Sequence, residues 1–302
     1  MHLKGRLPGR HACASTANAA ISIIVAIIVA LAGQPGQAQT AASLGCGLEA
    51  GPSRAVAAVI DGDTVRLDDG REVRLIGLIA PRAEDARAPA DNWPPEAESR
   101  KALAARLIGR TVSLAFQGPR ADRYGRVLAH LFVDDAGETQ WVQATHLEAG
   151  QARAFAPTEH AACMPQLITR EQRARAAVRG LWANAAYQVR PADRPGELAR
   201  YRGTFQLVAG RVARVSGTRT LVILDLVSSE AAAKDRTGRD RTGFRVVWNR
   251  AVKDMAEAGG RRNGGLSGAD ILVRGWVETR RGPEIELLGP SQIEMQLRPA
   301  VE

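Results

Sequence analysis

The sequence predicts a mainly β protein with helices: a five-stranded barrel carrying packed helices, followed by a second β domain. Three observations predict it. Between Arg54 and Val133, short runs of alternating apolar and polar residues are separated by turn residues, the period of half-buried strands. Two stretches, 96–108 and about 165–179, switch to helical spacing. After a Pro- and Gly-containing stretch at 191–200, strand-like runs begin again in the same order.

In chain order, Gln39 to Ser53 reads as a polar, Gly/Ala-rich lead-in. Ala55 to Ile60 is a strand that ends at the Asp61-Gly62 turn. Thr64 to Leu67 alternates, and Asp68-Asp69-Gly70 makes a hairpin turn. Val73 to Leu78 is a third strand, stopped by Pro81. Pro94-Pro95 suits a helix start, with Ala97, Leu103, Ala104 and Leu107 on one stripe and Gly109 at the end. Thr111–Phe116 and Val127–Val133 are strands, and Trp141–Ala149 and Pro165–Arg179 are helices. In the second of these, Glu171 and Arg175 form a favourable i,i+4 pair.

Beyond the linker, Phe205–Val215, Thr220–Leu226 and Phe244–Trp248 are strands, Val252–Ala258 a short helix, and Ile271–Glu278 with Glu284–Leu288 a hairpin. Three strands, a helix and two strands is the order of an OB-like barrel. The Arg/Gly-rich repeat Asp235–Gly243 reads as a solvated loop. Expected domains are therefore a signal peptide at 1–38, a first domain at 39–190 and an OB-like β domain at 191–302.

The N-terminus carries Lys4, Arg6 and Arg10, then an apolar run of 14 residues from Ala19 to Ala32. That is shorter than the roughly 20 residues a membrane-spanning helix needs. Gly36-Gln37-Ala38 supplies small residues for cleavage after Ala38. The expectation is export to the periplasm or medium, with an uncleaved anchor as the alternative and no membrane association once the signal is removed. Cys13 leaves with the signal, so Cys46 and Cys163 remain as an even pair bound for an oxidising compartment. They are expected to be joined, with two buried thiols as the alternative.

Net charge is +9, of which Lys4, Arg6 and Arg10 supply three, leaving +6. Residues 39–190 carry only +1 and residues 191–302 carry +5, so the first domain lacks a bulk electrostatic attraction for polyanions. His130, His146 and His160 show no metal-ligand spacing, and no zinc, nucleotide or redox motif appears.

Four pieces occur in order: Asp61-Gly62-Asp63-Thr64 after an apolar strand; Val73-Arg74-Leu75-Ile76-Gly77 with Ala80-Pro81; Asp122-Arg123-Tyr124-Gly125-Arg126; and a helix closing on Gly180-Leu181-Trp182. Together, over about residues 55–183, they resemble the thermonuclease (staphylococcal-nuclease-like) family. The resemblance implies phosphodiester hydrolysis of nucleic acid at a calcium site. There, two Asp carboxylates hold the ion, two Arg hold the phosphate and a Glu activates water. Cations must converge because the scissile group gains negative charge in the transition state.

Residue by residue, the resemblance implies that Asp63 is the first metal ligand and that Arg74 and Arg126 are the phosphate-binding arginines. Arg123 and Tyr124 correspond to the pair flanking the nucleotide, with Arg in place of Lys. Asp61 and Thr64 shape the metal loop. Two positions depart. Where the family usually reads Arg-Leu-Ile-Gly-Ile-Asp-Ala-Pro-Glu, this chain has Ile79 for the second metal Asp and Arg82 for the catalytic Glu. The resemblance then implies at most weak calcium binding and a cluster of Arg74, Arg82 and Arg126 able to bind phosphate without cutting it. Glu84 and Asp85 could restore the carboxylates if their loop folds back. Two readings follow: an altered metal-dependent nuclease, or an inactive barrel that binds nucleic acid or another polyanion, or acts as a scaffold. In the second domain, Trp248 and Trp276 are either core residues or base-stacking platforms.

Overall fold

The computed structural model describes residues 45–86, 93–227, 243–249 and 266–296. The expected signal peptide, the helix at 252–258 and all but the last residue of the Asp235–Gly243 repeat lie outside them. No helix among the described residues is long and apolar enough to cross a membrane.

The first part of the chain runs β1 (Glu49–Asp61), β2 (Thr64–Leu67), β3 (Glu72–Leu75), β4 (Gly77–Ile79), α1 (Ala83–Ala86) and α2 (Pro94–Leu107). It continues through β5 (Thr111–Phe116), β6 (Val127–Asp135), β7 (Glu138–Trp141), α3 (Val142–Glu148), β8 (Arg153–Phe155) and α4 (Met164–Ala176). β1, β2 and β3 form an antiparallel meander, and β5 pairs with both β1 and β6. The parallel pairing of β3 with β6 closes a barrel of five strands. Its core is mainly aliphatic, including Val65, Leu75, Leu103, Leu114, Leu131 and Leu167, with Phe116, Phe132 and Trp141 among them.

The second part runs β9 (Arg190–Pro191), α5 (Pro195–Leu198), β10 (Phe205–Gly217), β11 (Leu221–Val227), β12 (Phe244–Asn249), β13 (Asp270–Thr279), β14 (Pro283–Leu287) and β15 (Ile293–Met295). The pairing scheme is that of the first barrel: β10, β11 and β12 form a meander, β12 runs parallel to β14, and β13 pairs with β14 and β10. The protein is thus mainly β, with two closed five-strand barrels of OB-like order.

Three local expectations change. Glu49 to Ser53 is not a lead-in but the start of β1. Gly51 permits this, because a Cβ there would lie 2.4 Å from the Phe116 ring on the neighbouring strand. The strand expected at Val73–Leu78 breaks at Ile76, since Gly77 turns at φ 92° and its missing Cβ admits Leu167 from α4. β4 therefore leaves the barrel and pairs with β8. In α2, Leu103 and Leu107 of the expected stripe are buried, but Ala97 is exposed and Ala104 half-buried, and Pro95 and Ser99 complete the buried face instead. Ser99 sits there because α2 packs directly on Gly62, where any Cβ would meet the serine hydroxyl at 2.1 Å.

Two buried arginines join the barrels. Arg274 on β13, wholly buried, pairs with Glu171 of α4 at 2.7 Å and with Glu294, and donates to the Ala154 carbonyl at 2.7 Å. The Glu171–Arg175 pair also forms, at 3.8 Å, with Glu171 buried. Arg153 on β8 donates to the Phe205 carbonyl at 2.5 Å and pairs with Asp85 at 2.6 Å.

Cys46, just before β1, is bonded to Cys163 at the start of α4, closing a sequence separation of 117 residues. A loop of that size is worth about 4–5 kcal/mol in the chain-entropy model. Cys46→Ser is expected to lower unfolding free energy by that order in denaturant titration. An unchanged midpoint would contradict it.

Burial pushes His130 down to about 3 and His146 down to about 4, each far below the ordinary histidine value. Both are neutral in the fold, so the unfolded chain binds more protons below about pH 6.5 and stability falls as pH drops toward 4. Each histidine is expected to cost about 3 kcal/mol over that interval. Denaturant titrations at pH 7 and pH 4 check this: His146→Gln should lose visibly less stability on acidification than the parent chain. Equal losses would exclude His146.

Candidate functional site

The site begins at the turn joining β1 to β2. The Asp63 amide donates to Asp61 Oδ1 at 2.9 Å, which tightens the Asp61-Gly62-Asp63 turn. From beneath, Ser99 Oγ lies 3.1 Å from His146 Nε2 and donates to the Gln151 carbonyl at 2.8 Å, and Ser99 packs against Gly62. The turn is therefore seated on α2 and α3, and the Asp63 side chain is directed inward, fully buried.

The Asp63 carboxylate accepts from four donors. The Ala80 amide reaches Oδ2 at 2.7 Å, and the Thr64 hydroxyl reaches Oδ1 at 3.4 Å. Arg74, from the adjacent β3, makes a close ion pair with Oδ1, and Arg82 reaches the same oxygen at 3.3 Å. Arg82 also reaches Asp61 Oδ2 at 3.3 Å, so one guanidinium bridges the two aspartates.

Arg126 arrives from the turn before β6, the strand that runs parallel to β3. Asp122 shapes this turn by accepting from the Tyr124 and Arg126 amides at 2.9 and 3.0 Å, and it holds the Arg126 side chain at 2.7–2.8 Å. Burial pushes the Asp122 carboxyl up, but its bonds from Arg126 and Tyr124 outweigh that and hold it below the usual range.

Arg74, Arg82 and Arg126 line one cavity of about 490 Å³. Burial pushes Arg74 down to about 10; Asp61 pulls it up, and the charges of Arg82 and Arg126 push it down further. The three cations are thus close enough to repel, and Arg74 is still protonated at neutral pH. Arg123 and Tyr124 do not line the cavity. They stand beside it, Arg123 lying 4.7 Å over the Tyr124 ring and Arg126 5.6 Å from that ring, with Tyr124 largely exposed.

Calcium takes six to eight oxygen ligands and relies on carboxylate charge. The donors present do not fit it, because the Asp63 oxygens accept from Arg74, Arg82, Thr64 and Ala80, and Asp61 faces Arg82. Of the two acidic residues that could restore the carboxylates, Asp85 lines the same cavity as the three arginines, but neither makes a contact with Asp63. Asp85 turns instead to Arg153 and to the Arg82 amide, and Glu84 is exposed. Among the described residues, no group of three or more His, Cys, Asp or Glu could hold a metal ion.

Ile79 lines the same cavity as the three arginines. It packs against a cluster holding Phe155, Phe205 and Leu272, the last two from the second barrel. Trp276 lines the same cavity and is 40% exposed, whereas Trp248 is buried at 1% and belongs to the second core. Sequence reasoning missed Ser99, His146, Phe155, Phe205 and the two interface arginines. Phe155 lies in a strand of three residues, too short for an alternation to register.

Residues 72–184 match the family model described as staphylococcal nuclease homologue. A curated protein of Escherichia coli, described as an uncharacterized endonuclease, is 30% identical over 130 residues, covering 43% of this chain and 76% of that protein. With the barrel closed by β3 and β6 and with helices flanking the Asp63–Arg74 pair, these matches agree with the geometry: the chain belongs to the staphylococcal nuclease homologue family.

Proposed function

We propose that this protein is an exported, nuclease-like chain whose cavity binds a phosphate of a nucleic-acid strand through Arg74, Arg82 and Arg126, and that calcium-assisted hydrolysis is lost. The observation that carries this reading is the buried Asp63 carboxylate, neutralised by two arginines where the family resemblance implies a cation. In this reading Ile79 and Arg82 replace the second metal Asp and the catalytic Glu. Losing a general base alone typically costs about 10²–10⁴-fold in rate.

Phosphate binding is the chemistry that remains. A planar guanidinium donates to two phosphate oxygens at once. Arg82 and Arg126 are partly exposed, with side-chain exposures of 41% and 28%, so both can turn to a ligand while Arg74 stays behind them. The incoming phosphate competes with Asp61, Asp63 and Asp122 for these donors, which predicts moderate and salt-sensitive affinity. Export is supported by the N-terminal pattern at 1–38 and by a disulfide of the kind that persists in oxidising compartments.

A second reading, residual metal-dependent cutting, is favoured by the retention of Asp63, Arg74 and Arg126 and by the endonuclease relative. Residues 39–302, incubated with plasmid DNA and calcium or chelator, separate the two. The expected result is no chelator-sensitive cutting, together with oligonucleotide binding whose log affinity falls by about 0.7 per contacted phosphate for each tenfold rise in salt. Arg82→Ala should weaken that binding at least about ten-fold, the scale of one charge-assisted hydrogen-bonding group. Cutting abolished by chelator would support the second reading. Absence of binding would overturn the first.

A further inference from the structure

The phosphate reading leaves one wall of the cavity unused. It is aromatic, and part of it comes from the second barrel: Phe155 from β8, with Phe205 and Trp276 from β10 and β13. The three rings contact one another edge to face, with centroids 5.0–5.4 Å apart. Phe155 and Phe205 are buried, but Trp276 keeps 40% of its surface open, between the buried Gly275 and Val277 on β13. No ring among the described residues stacks parallel on the indole. An indole held in place by two phenyl rings, open to a cavity that also holds three arginines, matches a flat aromatic ligand carrying an anionic group.

We propose that Trp276, backed by Phe155 and Phe205, is a nucleobase subsite for the nucleotide whose phosphate lies on Arg74, Arg82 and Arg126. This rests on the phosphate-binding reading above. Stacking on an aromatic side chain is tolerant of base identity and requires an unpaired base, so the ligand is a single strand rather than a duplex. A cavity of about 490 Å³ lies within the range of about 300–1,000 Å³ that small-ligand sites occupy. Ile79 fits the same picture, since an apolar residue there extends the wall where a carboxylate would repel the phosphate. The second barrel is then part of the binding site and not an appendage to it.

The test compares two fluorescent oligonucleotides of equal length, one of thymidine and one of abasic sugar-phosphate units, by anisotropy with residues 39–302. The intact protein should prefer the thymidine strand by about ten-fold or more. Trp276→Ala should remove that preference and leave abasic binding unchanged, whereas Arg82→Ala should weaken both strands. Trp276→Phe, which keeps a ring, should retain most of the preference and so separates loss of stacking from loss of folding. A thymidine preference that survives Trp276→Ala overturns the subsite alone. Failure of both strands to bind the intact protein overturns the phosphate reading and the subsite with it.

Discussion

The site depends on one buried carboxylate. Asp63 is fully inside the protein, and an isolated charge there would be too costly to keep. Something cationic must face it. A metal ion is one solution; here Arg74 and Arg82 are another, with the Ala80 amide and the Thr64 hydroxyl as further donors. The barrel enforces the choice. β2 pairs with β3 so that Thr64 lies opposite Arg74, and the Asp61 turn cannot retreat because Gly62 is pressed on Ser99 of α2.

The second barrel changes what the first can do. Arg274 and Arg153 cross between the barrels and are buried with their partners. Removing one partner of such a pair typically costs about 3–5 kcal/mol, so the barrels meet in a defined way. The junction puts Phe205 and Trp276 next to Phe155 and Ile79. An aspartate at position 79 would have to sit against that apolar wall. The isoleucine and the barrel contact are therefore one structural feature, and the cavity gains an aromatic side, while two of its carboxylates, Asp85 and Asp122, are already paired with Arg153 and Arg126.

Much of this was legible in the sequence, for physical reasons that differ by residue. The strands of both barrels follow from alternation, and the Asp61-Gly62 and Asp68-Asp69-Gly70 turns follow from turn chemistry, all local properties. Arg74 and Arg126 could be matched because they sit in motifs of fixed spacing, and the closure of β3 on β6 places them together. What was not legible depends on contacts distant in sequence. Glu49–Ser53 looks like a linker until Phe116 covers Gly51, and Val73–Leu78 looks continuous until Leu167 claims the space at Gly77. Trp248 and Trp276 both occupy strands, and only closure of the barrel buries the first and turns the second toward the cavity.

Arginine neutralisation of Asp63 is the central claim, and a calorimetric calcium titration of residues 39–302 tests it most directly, run beside the paired variant Ile79→Asp with Arg82→Glu. The account predicts no saturable heat from the parent chain and a saturable, stoichiometric heat from the variant, in which carboxylates replace the bridging guanidinium. Tight one-to-one calcium binding by the parent chain would contradict it.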